Sequence, residues 1–290
     1  MFKYIVFLRP HHWIKNFLLF IPIIASQQLT QTTLTKGVLG FVAFCLIASS
    51  GYIINDIFDV KNDQLNFYKK NRPFASGEII KSKSIFLIFI LITFAGLISI
   101  KLNIEFFYTI LIYFVFTILY SLILKKIFIL DLLILSSFFY LRIFAGSKAT
   151  DIFISSWLLY FSIFFFFALS SVKRLAELSY LYKNNKTKIK GRAYDVSNIP
   201  LVKNISYISA YISIIILFLY VNSPEIIILY SSPTFLWGIC LVLLYWITKI
   251  ILFAKTGQMH QDPIVFAIKN KLSYICLILI IMLLIAGILI

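Results

Sequence analysis

Gly37 to Asp63 reads GVLGFVAFCLIASSGYIINDIFDVKND. The run up to Ile57 is apolar and long enough, at about 1.5 Å per residue, to cross the ~30 Å hydrocarbon layer of a bilayer. It then ends in three carboxylates, Asp56, Asp59 and Asp63. At about 100° per residue these fall within a ~60° arc of one helical face. Like charges so close repel by roughly 4 kcal/mol per contacting pair at an effective dielectric near 20. A helix C-terminus worsens matters, because its dipole favours cations there. Capping of the helix end is the alternative reading of these acids. A divalent cation relieves the repulsion better, and Mg²⁺ suits a site of a few carboxylates completed by phosphate oxygens. Asn55 adds a neutral oxygen beside them. The stretch predicts a membrane helix whose polar end holds a metal-bound diphosphate.

Composition supports a membrane setting. Of 290 residues 61% are hydrophobic and 13% charged, with a mean hydropathy of +0.96, an apolar excess that no soluble domain needs. The 30 Phe and 17 Tyr suit lipid-facing and interfacial positions. Cys45, Cys240 and Cys276 stand singly in apolar runs and read as small hydrophobes. Met1 to Pro10 is basic and interfacial, without the cleavage pattern of a signal peptide.

Nine apolar runs are long enough to span: Trp13 to Leu29, Gly37 to Ile57, Ser84 to Ile100, Ile104 to Leu124, Ile127 to Ser147, Ile152 to Ser171, Ile205 to Val221, Pro233 to Phe253 and Leu272 to Ile290. The first is the weakest, interrupted by Pro22 and shortened by Ser26-Gln27-Gln28. With the N-terminus inside, 23 of the 27 Lys and Arg fall in inner segments, while Lys36, Lys101 and Lys148 lie outside and Arg142 lies within a span. That asymmetry predicts an N-in, C-out chain. It also assigns the net charge of +16 to the membrane surface rather than to nucleic acid. The long polar connections, 58–83 and 172–204, are both inner and are expected to be cytoplasmic active-site loops of a single transmembrane domain over 1–290. The low-Gly, Lys/Asn/Ile-rich composition points to a bacterium, hence to its inner membrane.

Basic residues accompany the acids. Lys69-Lys70-Asn71-Arg72-Pro73 follows within ten residues, with a turn expected at Ser76-Gly77. Lys70 and Arg72 suit phosphate oxygens left off the metal, or else the anionic inner leaflet. Lys15 and Asn16 open the first span, as substrate groups or as an interfacial anchor with Trp13. Lys173 and Arg174 end the sixth span, where Lys173 could instead simply pair with Glu177 at i, i+4. Arg142, inside the fifth span, costs at least about 2.5–3.5 kcal/mol in hydrocarbon, so it faces the interior or snorkels outward near Lys148. His11, His12 and His260 read as structural or interfacial, and Asp262-Pro263 as an N-cap and first-turn proline.

Taken in order, Arg9-Pro10-His11-His12-Trp13-Ile14-Lys15-Asn16, Tyr52-Ile53-Ile54-Asn55-Asp56, the three aspartates, Asn71-Arg72-Pro73-Phe74-Ala75-Ser76-Gly77, Leu141-Arg142-Ile143-Phe144-Ala145-Gly146, Lys173-Arg174-Leu175-Ala176-Glu177-Leu178 and Asp262-Pro263-Ile264-Val265-Phe266-Ala267 resemble the UbiA superfamily of intramembrane prenyltransferases. The resemblance covers nearly the whole chain and is greatest to the branch of decaprenyl-phosphate phosphoribosyltransferases. It implies an all-α fold of nine transmembrane helices around a central cavity, with the polar site at its cytoplasmic mouth. Members with aromatic acceptors usually carry a second D-x-x-x-D motif after the sixth span; here that stretch is Lys173-Arg174-x-x-Glu177. One acidic and one basic cluster suit a Mg²⁺-bound phosphoribosyl diphosphate donor and a polyprenyl phosphate acceptor. Two alternatives stand beside this reading. One is transfer of a prenyl group from prenyl diphosphate to an aromatic or other acceptor. The other is a transporter or lipid-binding protein without catalysis, which the clustering of acids at one face disfavours.

Overall fold

The computed structural model describes residues 7–64, 74–77, 81–189, 191–259 and 262–289. Among them there is no β-strand, only an isolated antiparallel bridge between Lys188 and Asp195. The helices are a 3-10 helix Pro10–Phe20, then α1 Ile21–Ala25, α2 Gln31–Gln64, α3 Lys81–Leu102, α4 Ile104–Leu122, α5 Leu130–Thr150, α6 Ser156–Lys183, α7 Ile199–Val221, α8 Pro224–Leu229, α9 Thr234–Lys255, α10 Pro263–Ala267 and α11 Lys271–Leu289. Short 3-10 turns lie at Leu124–Lys126 and Val196–Asn198.

Eight of these helices are long and apolar enough to cross a membrane, against the nine expected. The missing one is the first. Pro10 to Ala25 is a 3-10 helix followed by a single α-turn, and the chain leaves the helix at Gln27, whose φ is +56°. Pro22 cannot donate the backbone hydrogen bond that would join the two pieces into one α-helix. A 3-10 helix rises ~2.0 Å per residue, so the two pieces together still extend roughly 30 Å. The expected loops also shrink. α2 runs seven residues past Ile57 and α6 continues to Lys183, because Lys, Glu and Gln propagate a helix well once the apolar part has nucleated it.

Packing divides the chain into two compact units: Met1–Ile134 with Leu141–Ile154, and Leu135–Tyr140 with Ser155–Ile290. In the first unit α2 is central, with 61% of its apolar window buried, and packs against α3, α4 and the 3-10 helix. Only 17% of the α3 window is buried, and Phe86, Phe89 and Leu97 are exposed where lipid would lie. Close approach is secured by small residues. A Cβ on Gly51 would sit 2.6 Å from Thr117 Cγ2, and one on Gly146 would sit 2.1 Å from the backbone oxygen of Leu19. The latter clash is with backbone and has no rotamer escape. Gly146→Ala is expected to cost about 1–3 kcal/mol, read as a lower thermal midpoint in detergent. An unchanged midpoint would contradict this packing.

The α5 C-terminal end of this unit is tied by exposed pairs. Lys36 Nζ lies 2.7 Å from Asp151 Oδ2, Asn103 donates to Asp151 Oδ1 at 2.6 Å, and Lys148 meets Glu105. The Lys36 hydrogen bond holds the Asp151 carboxyl below its ordinary range; burial opposes it, and the Asn103 hydrogen bond and the Lys36 and Lys148 charges add smaller lowering effects. A lowered folded-state value means stability present above about pH 4 and lost as pH falls through the lowered value. Asp151→Asn is expected to remove no more than ~1 kcal/mol at pH 7, the gap to wild type closing in acid. Thermal midpoints of both proteins across pH 3–7 measure this.

In the second unit α6 packs along α7, and α9 against α7, α11 and α6. Phe139 stacks on Phe166 at 4.7 Å, and Phe165 contacts Phe161 and Trp246, whose indole donates to Ser273 Oγ. Cys45, Cys240 and Cys276 are buried and not disulfide-bonded.

Candidate functional site

α2 is unbroken through Gln64, so Asp56, Asp59 and Asp63 do share its last turns. Asp56 is 2% and Asp63 3% exposed. A buried carboxylate needs compensation, because desolvation costs several kcal/mol per ion. Arg9 supplies it to Asp56: one guanidinium nitrogen lies 2.6 Å from both carboxylate oxygens. Lys125 Nζ lies 2.5 Å from Asp59 Oδ1. Each acid with a described ion-pair partner therefore holds a separate cation, and both cations come from distant parts of the chain.

The backbone is bent to deliver them. Arg9 caps the 3-10 helix with φ 53° and ψ 57°, a left-handed conformation that costs a non-glycine residue about 1–2 kcal/mol. Its guanidinium also lies 5.7 Å from the ring of Tyr52, one turn before Asp56. Lys125 sits on the tight turn between α4 and α5, which closes through Ile129 at φ 64°, an outlier for a β-branched residue. His11, beside Arg9, is pushed below its ordinary pKa by desolvation and then by the Arg9 and Lys15 charges.

The acid set has the right chemistry for Mg²⁺: hard carboxylate oxygens on one helical face, with the side chain of Asn55 adjacent. With Arg9 and Lys125 in place, no three His, Cys, Asp or Glu side chains among the described residues are gathered closely enough to hold a metal. A metal at Asp56 and Asp59 competes with those two cations for carboxylate oxygens.

Asn16 and Arg142 come together, deep in the same unit. Arg142 Nε donates to Asn16 Oδ1 at 2.8 Å and its Nη2 to the Tyr113 hydroxyl at 2.9 Å. The guanidinium lies over the rings of Phe44 and Tyr113 at 5.3 and 5.1 Å. Asn16 donates in turn to Cys45 Sγ. Arg142 is buried, so the outward snorkelling that the sequence left open does not occur; hydrogen-bond partners and two aromatic faces make the inward position the cheaper one. Lys15 is half-buried on the exposed side of the same 3-10 helix, next to Trp13, whose indole donates to Ser49 Oγ.

In the second unit Arg174, not Lys173, pairs with Glu177, at 2.5 Å and i, i+3. Lys173 instead lies 3.3 Å from Asp262 Oδ2. The i, i+4 pairing with Glu177, the alternative to a substrate role for Lys173, is not made; Lys173 meets a carboxylate distant in sequence instead. Asp262 also caps α10, accepting from Ile264 N, followed by Pro263 as expected. Arg174 is fully buried, 6.0 Å from the ring of Tyr194. Asp195, isolated in sequence, caps the 3-10 turn before α7 by accepting from Ser197 and is a structural residue.

Lys70, Arg72 and His260 lie outside the described residues. The turn after them is present: Gly77, at φ +75°, donates to Phe74 O, and Phe74 packs on Phe7. Arg9, Lys125 and Tyr113 were missed as site residues. Arg9 stood in a quoted motif, and its signal was a lone cation just before the proline that starts a helix. Lys125 and Tyr113 carry no local pattern that would mark them.

Comparison with known proteins places the chain in a family. The model of the UbiA prenyltransferase family matches residues 17–275. Nodulation protein NoeC of Azorhizobium caulinodans is 30% identical over 271 residues, covering 93% of this chain and 88% of NoeC. A decaprenyl-phosphate phosphoribosyltransferase of Mycolicibacterium smegmatis is 34% identical over 175 residues, 59% of this chain and 55% of the relative, so that likeness spans about half of the relative's length. A UbiA homolog from Archaeoglobus fulgidus, solved with GPP and Mg²⁺, shares the fold at a TM-score of 0.72 and 16% identity, covering 97% of this chain and 99% of the homolog. With a family model spanning most of its length, apolar helices throughout and this fold, the chain is an integral membrane protein that belongs to the UbiA prenyltransferase family.

Proposed function

We propose that this protein transfers the 5-phosphoribosyl group of phosphoribosyl diphosphate to a polyprenyl phosphate of the decaprenyl type, at the cytoplasmic face of a bacterial inner membrane. The observation that carries the reading is the kind of charge that each unit places at the end of one helix. An acid strip ends α2, while the end of α6, where aromatic-acceptor relatives carry a second acidic motif, holds Lys173 and Arg174. The named phosphoribosyltransferase relative supports it. In the nine-span reading of the sequence 23 of 27 Lys and Arg fall in inner segments, and that asymmetry supports the orientation.

Asp56, Asp59 and Asp63, with Asn55, would hold Mg²⁺, which when bound neutralises charge gathering on the departing diphosphate. The lipid phosphate oxygen attacks the anomeric carbon, the bond from that carbon to the diphosphate oxygen breaks, and diphosphate leaves with the electron pair. The acceptor is already anionic at neutral pH, so no general base is needed. Lys15, Lys70, Arg72, Lys173 and Arg174 are assigned to phosphate groups of the substrates. Arg142 and Asn16, which the sequence offers as further phosphate-binding candidates, are assigned instead to positioning the 3-10 helix that carries Lys15. The apolar helices that carry these residues limit hydrolysis by excluding water.

A second reading, prenyl transfer from a prenyl diphosphate to an aromatic or other acceptor, is favoured by the GPP- and Mg²⁺-bound fold relative. Membranes containing the protein, given labelled phosphoribosyl diphosphate with polyprenyl phosphate and Mg²⁺, are expected to place label in the lipid fraction. Label moving only from prenyl diphosphate to an aromatic acid assigns the second reading instead, and transfer from neither removes both.

A further inference from the structure

We propose that Arg9 and Lys125 are exchangeable counter-cations: they neutralise Asp56 and Asp59 in the metal-free protein, and move to the diphosphate when metal and diphosphate arrive together. The inference rests on the metal assignment just made. Charge is its first support. Two carboxylates and two cations are balanced as they stand. Placing a divalent ion on those carboxylates without moving Arg9 and Lys125 adds two positive charges to a mostly buried site. A diphosphate entering with the metal brings the negative charge those side chains then need. The metal thus replaces, charge for charge, what the side chains release.

Backbone and surroundings are the second support. Arg9 is held in a left-handed conformation, and the turn bearing Lys125 closes through Ile129, also at positive φ. Strain of this kind persists only where the surrounding structure enforces it, and it collects at switching and binding sites. Both cations also have a way out. Arg9 lies over Tyr52 at 5.7 Å, a second resting place for a guanidinium leaving Asp56. Lys125 is a flexible four-carbon stem on a tight turn, and its partner Asp59 is 19% exposed, against 2% for Asp56, the partner of Arg9. The sequence of events has a consequence: metal alone binds weakly, because it must expel two cations that have nowhere charged to go, and diphosphate makes metal binding strong.

Mn²⁺ binding to the purified protein in detergent, followed by loss of the free-ion EPR signal with and without inorganic pyrophosphate, tests this without any turnover. Arg9→Gln and Lys125→Met are each expected to bind Mn²⁺ alone about tenfold more tightly than wild type, while their pyrophosphate affinity in the presence of Mn²⁺ falls about tenfold. Arg9→Lys should keep wild-type behaviour in both measurements. The opposite signs matter, because a merely structural role for these side chains would weaken both. Wild-type binding of Mn²⁺ with variants unchanged or weaker in Mn²⁺ affinity overturns the exchange and leaves the metal assignment standing. Absence of Mn²⁺ binding by wild type even with pyrophosphate overturns the metal assignment, and the exchange with it. If a single variant does not fold, the other alone decides, since each cation faces its own carboxylate.

Discussion

Asp56→Asn is expected to lower Mg²⁺-dependent turnover at least ~100-fold while leaving a folded protein. Asp56 is buried on the last turns of α2 and accepts Arg9 on both oxygens, so its carboxylate is both a metal donor and the charge that compensates a cation. An amide keeps the shape and one acceptor oxygen but removes the negative charge. The metal loses its donor, and Arg9 loses its counter-ion. The folding cost is limited to about 1–3 kcal/mol because Arg9 is partly exposed and still has Tyr52 and the amide oxygen. Transfer assays across a Mg²⁺ titration, with a thermal melt as the folding control, measure both effects. An Asn variant that turns over at the wild-type rate and still requires Mg²⁺ would remove Asp56 from the metal set.

The largest stability effect is expected at Arg142. Arg142→Met should cost on the order of 3–5 kcal/mol, read as a drop in thermal midpoint in detergent. The guanidinium satisfies Asn16 and Tyr113 together in a buried site and fills the space between two aromatic faces. Methionine fills part of that volume and satisfies neither partner. Each abandoned polar group costs about 1–3 kcal/mol where water cannot reach it. Arg142→Lys should fall between, because one ammonium cannot reproduce the divergent Nε and Nη2 geometry. Activity should fall with stability, since Asn16 fixes the 3-10 helix that presents Lys15. A Met variant as stable as wild type would show that the network contributes little.

How much of this was legible in the chain differs residue by residue. The helical face shared by Asp56, Asp59 and Asp63 was readable, because periodicity over two turns is local and the apolar run before it nucleates the helix. The turn at Ser76-Gly77 and the cap at Asp262-Pro263 were readable for the same reason. The first apolar run was misjudged as a crossing α-helix: its composition is right, but a proline and the approach of Gly146 to Leu19 favour a 3-10 path there. Lys173 had two carboxylates within reach, and its partner depended on where α10 folds back.

Hydropathy and charge asymmetry by themselves determined a helical membrane chain with an acid strip, because burying backbone in lipid leaves few solutions and each is written in runs of adjacent residues, and the ordered motifs carried the family resemblance. What the tertiary structure decided is which charges meet. Arg9 reaches Asp56 across 47 positions, Lys125 reaches Asp59 across 66, and Arg142 reaches Asn16 across 126. Those pairings arise because a buried charge takes whichever counter-group the packed helices bring near, and separation along the chain says nothing about that distance.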